Sequence, residues 1–173
     1  MDEILVDFKS ESKQLIKRMI AVLDQIEGDF AQRAQLENFG QIVDRIMGGA
    51  ETLALVTEKN EQVNMIGRYA QICKLVGYKA SQLDNEQMFH VVVGFLLDAS
   101  EMLDQIVENL GTPQEVDLKT ALPKTFLDRL NWIADKFDKD LRASVAVGSA
   151  DAQNSTMGDQ VLIKDVLKGI GIR

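Results

Sequence analysis

LENFGQIVDRIMGGAETL, residues 36–53, decides the fold. Its apolar residues Phe39, Ile42, Val43, Ile46, Ala50 and Leu53 recur in steps of three and four, the spacing of one face of an α-helix. The opposite side carries Glu37, Gln41, Asp44, Gly48 and Glu51 or Thr52. The stretch therefore predicts a helix, within residues 35–57, with one buried face and one polar face. Gly48 and Gly49 sit inside it. A mid-helix glycine costs about 0.5–1 kcal/mol relative to alanine, so the bare backbone should have a use. Two uses are open: close packing of helix on helix, or access for a partner that must lie against this face without meeting side chains.

On either side the same periodicity repeats. Residues 2–27 predict a first helix, with Leu5, Phe8, Leu15, Met19, Leu23 and Ile26 inward and Gly28-Asp29 as its stop. Residues 61–83 predict a third helix, with Ile66, Tyr69, Cys73, Val76, Ala80 and Leu83 inward and Gly77 as a place for a bend. Asp84 or Asn85 caps a fourth helix over residues 86–110. Its stripe is Phe89, Val92, Leu96, Ala99, Leu103, Ile106 and Leu110, and Gly111 followed by Pro113 ends it. A polar loop over 111–123 leads to a fifth helix over 124–143, with Leu127, Leu130, Ile133, Phe137 and Leu141 inward and Trp132 as a packing residue on its margin. Period-two alternation is absent, so the expected fold is an all-α antiparallel bundle of four or five helices.

The composition changes after residue 143. Residues 144–158, SVAVGSADAQNSTMG, read as a flexible linker. Residues 159–173 turn apolar again: Val161, Leu162, Val166, Leu167 and Ile170 share one side of a short helix, while Asp159, Lys164, Asp165 and Lys168 lie largely elsewhere. A helix of about a dozen residues is marginal alone in water. This one either docks back on its own bundle or acts as a tethered recognition helix for a partner groove.

The totals narrow the function. The chain has 173 residues and a net charge of −8, which argues against nucleic acid or an anionic membrane as the main partner. The single cysteine, Cys73, allows no internal disulfide and no cysteine metal cluster, and its apolar surroundings suit a core residue in a reducing compartment. The acidic amphipathic N-terminus is unlike a signal peptide, and no apolar run is long enough to span a membrane, so a cytoplasmic protein is expected. With one histidine and one cysteine, conventional catalytic triads and zinc sites are nearly excluded.

Residues 1–110 resemble a histidine-containing phosphotransfer (Hpt) domain. Phe8, Glu11 and Leu15 fit the start of that family's first helix. Its second helix carries a phosphorylated histidine followed, after two residues, by lysine, glycine, a small residue and alanine. Here Gly48, Gly49 and Ala50 match, but Asp44 holds the histidine position and Met47 the lysine position. The shape of the motif survives without its nucleophile, which a phosphorelay requires. What the resemblance implies is a face on which a receiver domain can lie: Asp44, Arg45, Gly48, Glu51 and Thr52. The lone histidine, His90, has a glycine four residues later, as the relay motif does. However, Val93 replaces the lysine and the flanks are apolar, which suits a packed or rim histidine.

A second resemblance is to the chemotaxis phosphatase that acts on a phosphorylated response regulator. Asp159, Gln160, Val161, Asp165, Val166, Leu167, Gly169, Ile170 and Gly171 can be placed on its regulator-binding tail with one residue inserted, and Leu162 adds to the apolar side. Lys164 and Lys168 make this tail less acidic. That phosphatase's active helix holds an acid and a glutamine four residues apart, and Glu37 and Gln41 repeat the spacing. The resemblance implies that Gln41 orients water beside an aspartyl phosphate while Glu37 pairs with the receiver's lysine. The partner would be a CheY-like receiver domain that brings its own divalent metal, so the chain needs no cofactor of its own. Three readings follow: a receiver phosphatase, a non-catalytic pseudo-Hpt adaptor or scaffold for a receiver or histidine kinase, and a phosphotransfer protein using His90.

Overall fold

A computed structural model describes residues 2–140 and Lys168 of the chain. Helices α1 (Glu3–Ile26), α2 (Leu36–Ala54), α3 (Asn60–Ala80) and α4 (Glu86–Asn109) form the bundle, followed by a single turn α5 (Leu118–Ala121) and by α6 (Lys124–Asp140). A 3-10 segment, Phe30–Gln35, joins α1 to α2. Among the described residues there is no strand, so the fold is the all-α bundle that the periodicity predicts.

Long-range contacts set the topology. Lys9 Nζ donates to the Leu110 carbonyl at 3.0 Å, and Lys13 pairs with Asp104 and Glu108, so α1 and α4 run antiparallel. Glu11 reaches Arg45, while a Cβ on Gly49 would touch the Phe8 ring, which sets α1 against α2. Asp44 meets Lys74 and Ala50 meets Gly67, which sets α2 against α3. Tyr69 Oη donates to the Ala99 carbonyl at 2.7 Å and ties α3 to α4. The helices thus close a ring α1–α2–α3–α4, with α2 and α3 in the most extensive contact.

The stripes read from the sequence form one core. Each inward residue named for α1, α3 and α4 is buried, as are Phe39, Ile42, Val43, Ile46, Ala50 and Leu53 of α2. Fully burying one such side chain contributes about 1.5–3 kcal/mol. The closeness of α2 and α3 has a cause in small residues. A Cβ on Gly77 would lie 2.7 and 2.9 Å from the Phe39 ring, so this glycine serves close approach, and α3 runs unbroken from Asn60 through Ala80. Among the described residues every buried side-chain nitrogen and oxygen has a hydrogen-bond partner.

The helix ends follow ordinary capping chemistry. Asp2 accepts from the Ile4 amide, and Asn85 accepts from the Met88 amide at 3.0 Å, which settles the α4 cap in favour of Asn85. Gly28 and Gly111 take φ of 76° and 74°, the left-handed conformation that ends α1 and α4 cheaply.

Three expectations need correction. The segment 111–123 is not only polar loop: Asp117 caps α5, and Leu118 and Leu122 are buried. The third helix stops at Ala80 rather than 83, although Leu83 is still buried. Trp132 is 45% exposed, with the Lys136 ammonium 5.7 Å from its ring centroid, while Phe126 does the packing expected of that helix by stacking on Tyr69 and Phe95. Leu141, the linker and the tail residues of the sequence reading fall outside the described residues, except for the exposed, helical Lys168.

Candidate functional site

A helix turns by about 100° per residue, so Glu37, Gln41, Asp44, Gly48 and Glu51 fall on one stripe of α2. All are exposed, as are Arg45 and Thr52 on its edge. The residues proposed for receiver binding are therefore together on one open face, and Ile42, Val43 and Ile46 behind them anchor that face in the core.

Within the stripe the side chains differ in freedom. Gln41 and Glu37 make no hydrogen bond or ion pair with another described residue. Asp44 is engaged: its Oδ1 lies 2.6 Å from Lys74 Nζ of α3. Arg45 Nη2 lies 2.9 Å from Glu11 Oε1 of α1. Thr52 Oγ1 donates to the Gly48 carbonyl at 2.9 Å, folding the threonine back onto its own helix. A Cβ on Gly48 would meet nothing within 4 Å, whereas one on Gly49 would press on Phe8 at 3.3 Å. The two glycines thus divide the two uses: Gly49 serves packing, and Gly48 leaves bare backbone on the open face.

Two grooves flank the stripe. The α1–α2 groove has a volume of about 440 Å³ and is lined by Arg18, Ala21, Val22, Gln25, Asn38, Gln41, Ile42 and Arg45. The α2–α3 groove is smaller, about 120 Å³, with Met47, Glu51, Asn64 and Arg68 among its walls. Gln41 thus stands on the rim of the larger groove. Arg18 and Lys74 were not singled out by the sequence, because each comes from a different helix and reaches the α2 face only through the bundle topology. Glu11 was visible only through its place in the Hpt pattern.

His90 is apart from this face. It sits on α4, diagonal to α2 in the ring, with Nε2 3.5 Å from Glu86 Oε1 and its ring edge-on to Phe89. Its side chain is 39% exposed, a rim position. Cys73 is fully buried and its thiol is pushed up to about 12 by burial, so it is not a nucleophile at neutral pH. Among the described residues no group of three or more His, Cys, Asp or Glu side chains is placed to hold a metal ion. No described helix is long and apolar enough to cross a membrane.

Comparison with protein families, with curated proteins and with solved structures found no match to this chain.

Proposed function

We propose that the exposed face of α2 docks a CheY-like receiver domain and promotes hydrolysis of its aspartyl phosphate. The observation that carries this reading is the pair Glu37 and Gln41, one turn apart, exposed and uncommitted, on a helix whose next two turns offer the bare backbone of Gly48. In this reading the Gln41 amide accepts from and orients a water in line with the phosphorus. The water's oxygen bonds to phosphorus, the bond to the aspartate oxygen breaks, and inorganic phosphate leaves. Glu37 pairs with a lysine of the receiver and fixes the register. The divalent metal belongs to the receiver. The tail, with Asp159, Gln160, Val161, Leu162, Asp165, Val166, Leu167 and Ile170, holds the receiver nearby, which raises its effective concentration when the linker spans the two sites.

The ion pair between Asp44 and Lys74 favours a second reading. The position that would hold the relay histidine is filled by a carboxylate already paired with Lys74 of α3. The face could then serve as a pseudo-Hpt adaptor for a receiver or histidine kinase and do no chemistry. Gln41→Ala separates the two: a phosphatase loses its rate acceleration, and an adaptor keeps its binding and never had the acceleration. A His90 phosphotransfer protein would instead carry acid-labile label, lost in His90→Ala.

A further inference from the structure

The groove beside Gln41 has a charge unlike the rest of the chain. The protein carries 27 acidic and 19 basic residues, yet the lining of the α1–α2 groove holds two guanidiniums and no carboxylate. One of them, Arg45, is engaged by Glu11 at 2.9 Å. The other, Arg18, makes no ion pair or hydrogen bond with another described residue. The rest of the lining is the amides of Gln41, Asn38 and Gln25 and the apolar side chains of Ala21, Val22 and Ile42, of which Ile42 is buried.

From this we infer that the α1–α2 groove seats the phosphoryl group of the receiver's aspartyl phosphate, and that Arg18 is the cation that contacts it. The inference rests on the receiver reading above and names the residue that makes binding depend on phosphorylation. An acyl phosphate presents a dianion, and a guanidinium matches two of its oxygens through paired N–H donors. Among the described residues nothing engages those donors of Arg18, and it lines the same groove as the amide that would orient the attacking water. Two other cations flank the face: Lys74 is already held by Asp44 at 2.6 Å, and Arg68 lines the smaller α2–α3 groove with Glu51, away from Gln41. A side chain carrying a phosphoryl group fits a groove of about 440 Å³. Val22 and Ile42 give the groove an apolar share of its lining, and an ion pair made beside apolar surface is less screened than one in bulk solvent.

The test uses the full chain and receiver domains encoded in the same genome, each bare and as its beryllofluoride form. The wild type should bind the beryllofluoride form more tightly than the bare form. Arg18→Ala should weaken that binding by about tenfold to a hundredfold, the range for a lost charge-assisted hydrogen bond, and leave bare-receiver binding within about twofold. Arg18→Lys should fall between, because an ammonium keeps charge and loses the paired donors. Arg18 is exposed, so an unchanged thermal melt should accompany the loss. Equal weakening of both forms would make the groove a general contact surface, or a seat for the chain's own tail, and would overturn the inference. So would retained selectivity in Arg18→Ala; if Gln41→Ala still abolished hydrolysis, the phosphatase reading would survive that failure. A wild type that binds no receiver in either form overturns both.

Discussion

Gly48 and Gly77 are both helical glycines, and the structure gives replacement by alanine opposite signs at the two positions. At Gly48 a new Cβ meets open space. The gain is then the helix-propensity difference, about 0.8–1 kcal/mol. For roughly 140 ordered residues at about 2.1 cal/mol/K each, that is a rise in Tm of about 3 °C. At Gly77 the same propensity gain is available, but the new Cβ would stand 2.7 Å from Phe39 Cδ1 and 2.9 Å from Cε1. Carbon atoms prefer about 3.5–4.0 Å, so the ring or the helices must yield by nearly an ångström. Phe39 is fully buried, and a ring cannot swing aside as a flexible chain end can. Overpacking of this kind costs about 1–3 kcal/mol, which outweighs the gain and leaves Gly77→Ala destabilised by about 1 kcal/mol. Urea unfolding followed by circular dichroism reads both variants, with the midpoint moving and the slope unchanged. A Gly77→Ala protein as stable as Gly48→Ala would refute the close approach of α2 and α3 at Phe39.

Three other consequences are open to measurement. Cys73 should resist thiol reagents in the folded protein at pH 8 and react fully in denaturant. Because its folded pKa is raised by burial to about 12, its contribution to stability is complete below the ordinary thiol range near 8.5 and should be lost progressively as pH rises toward 12. The hydrogen bond between Lys13 and Glu108 holds the Glu108 carboxyl below its ordinary value and raises Lys13. Its contribution is therefore present above the ordinary glutamate range near 4.3, is lost as pH falls through the lower folded value, and is lost again as pH rises through the raised lysine value. Glu108→Gln should flatten the acid limb of a Tm-against-pH profile by leaving the low-pH end unchanged and lowering the pH 7 end slightly, the small effect of an exposed pair. Tyr69→Phe removes the donor to the Ala99 carbonyl and keeps the buried ring, so it should cost about 0.5–1.5 kcal/mol in a urea titration.

The parts of this molecule legible in the sequence are those governed by local periodicity. The stripes Leu5 to Ile26, Ile66 to Leu83 and Phe89 to Leu110 are core because hydrophobic burial acts on every turn of a helix alike. The α4 cap was legible to within one residue, Asp84 or Asn85, and Gly111 as a stop, because caps are written in one or two residues. What failed was set by contacts across the bundle. Leu118 and Leu122 look like loop residues until the returning chain buries them. Gly77 looks like a hinge until Phe39 is seen against it. The candidate site divides in the same way. Glu37, Gln41, Asp44 and Gly48 share a face by arithmetic along one helix. The engagement of Asp44 by Lys74, and the presence of Arg18 in the groove beside Gln41, depend on α3 and α1 and could not be read from α2.

The central claim is tested most directly by the rate at which a phosphorylated receiver from the same genome loses its phosphate, with and without the full chain. Phosphate would be followed both as free product and as label on this protein. The account predicts faster release, no label on the chain, and loss of the acceleration in Gln41→Ala. An unchanged rate despite detectable binding, or label that disappears in His90→Ala, would contradict it.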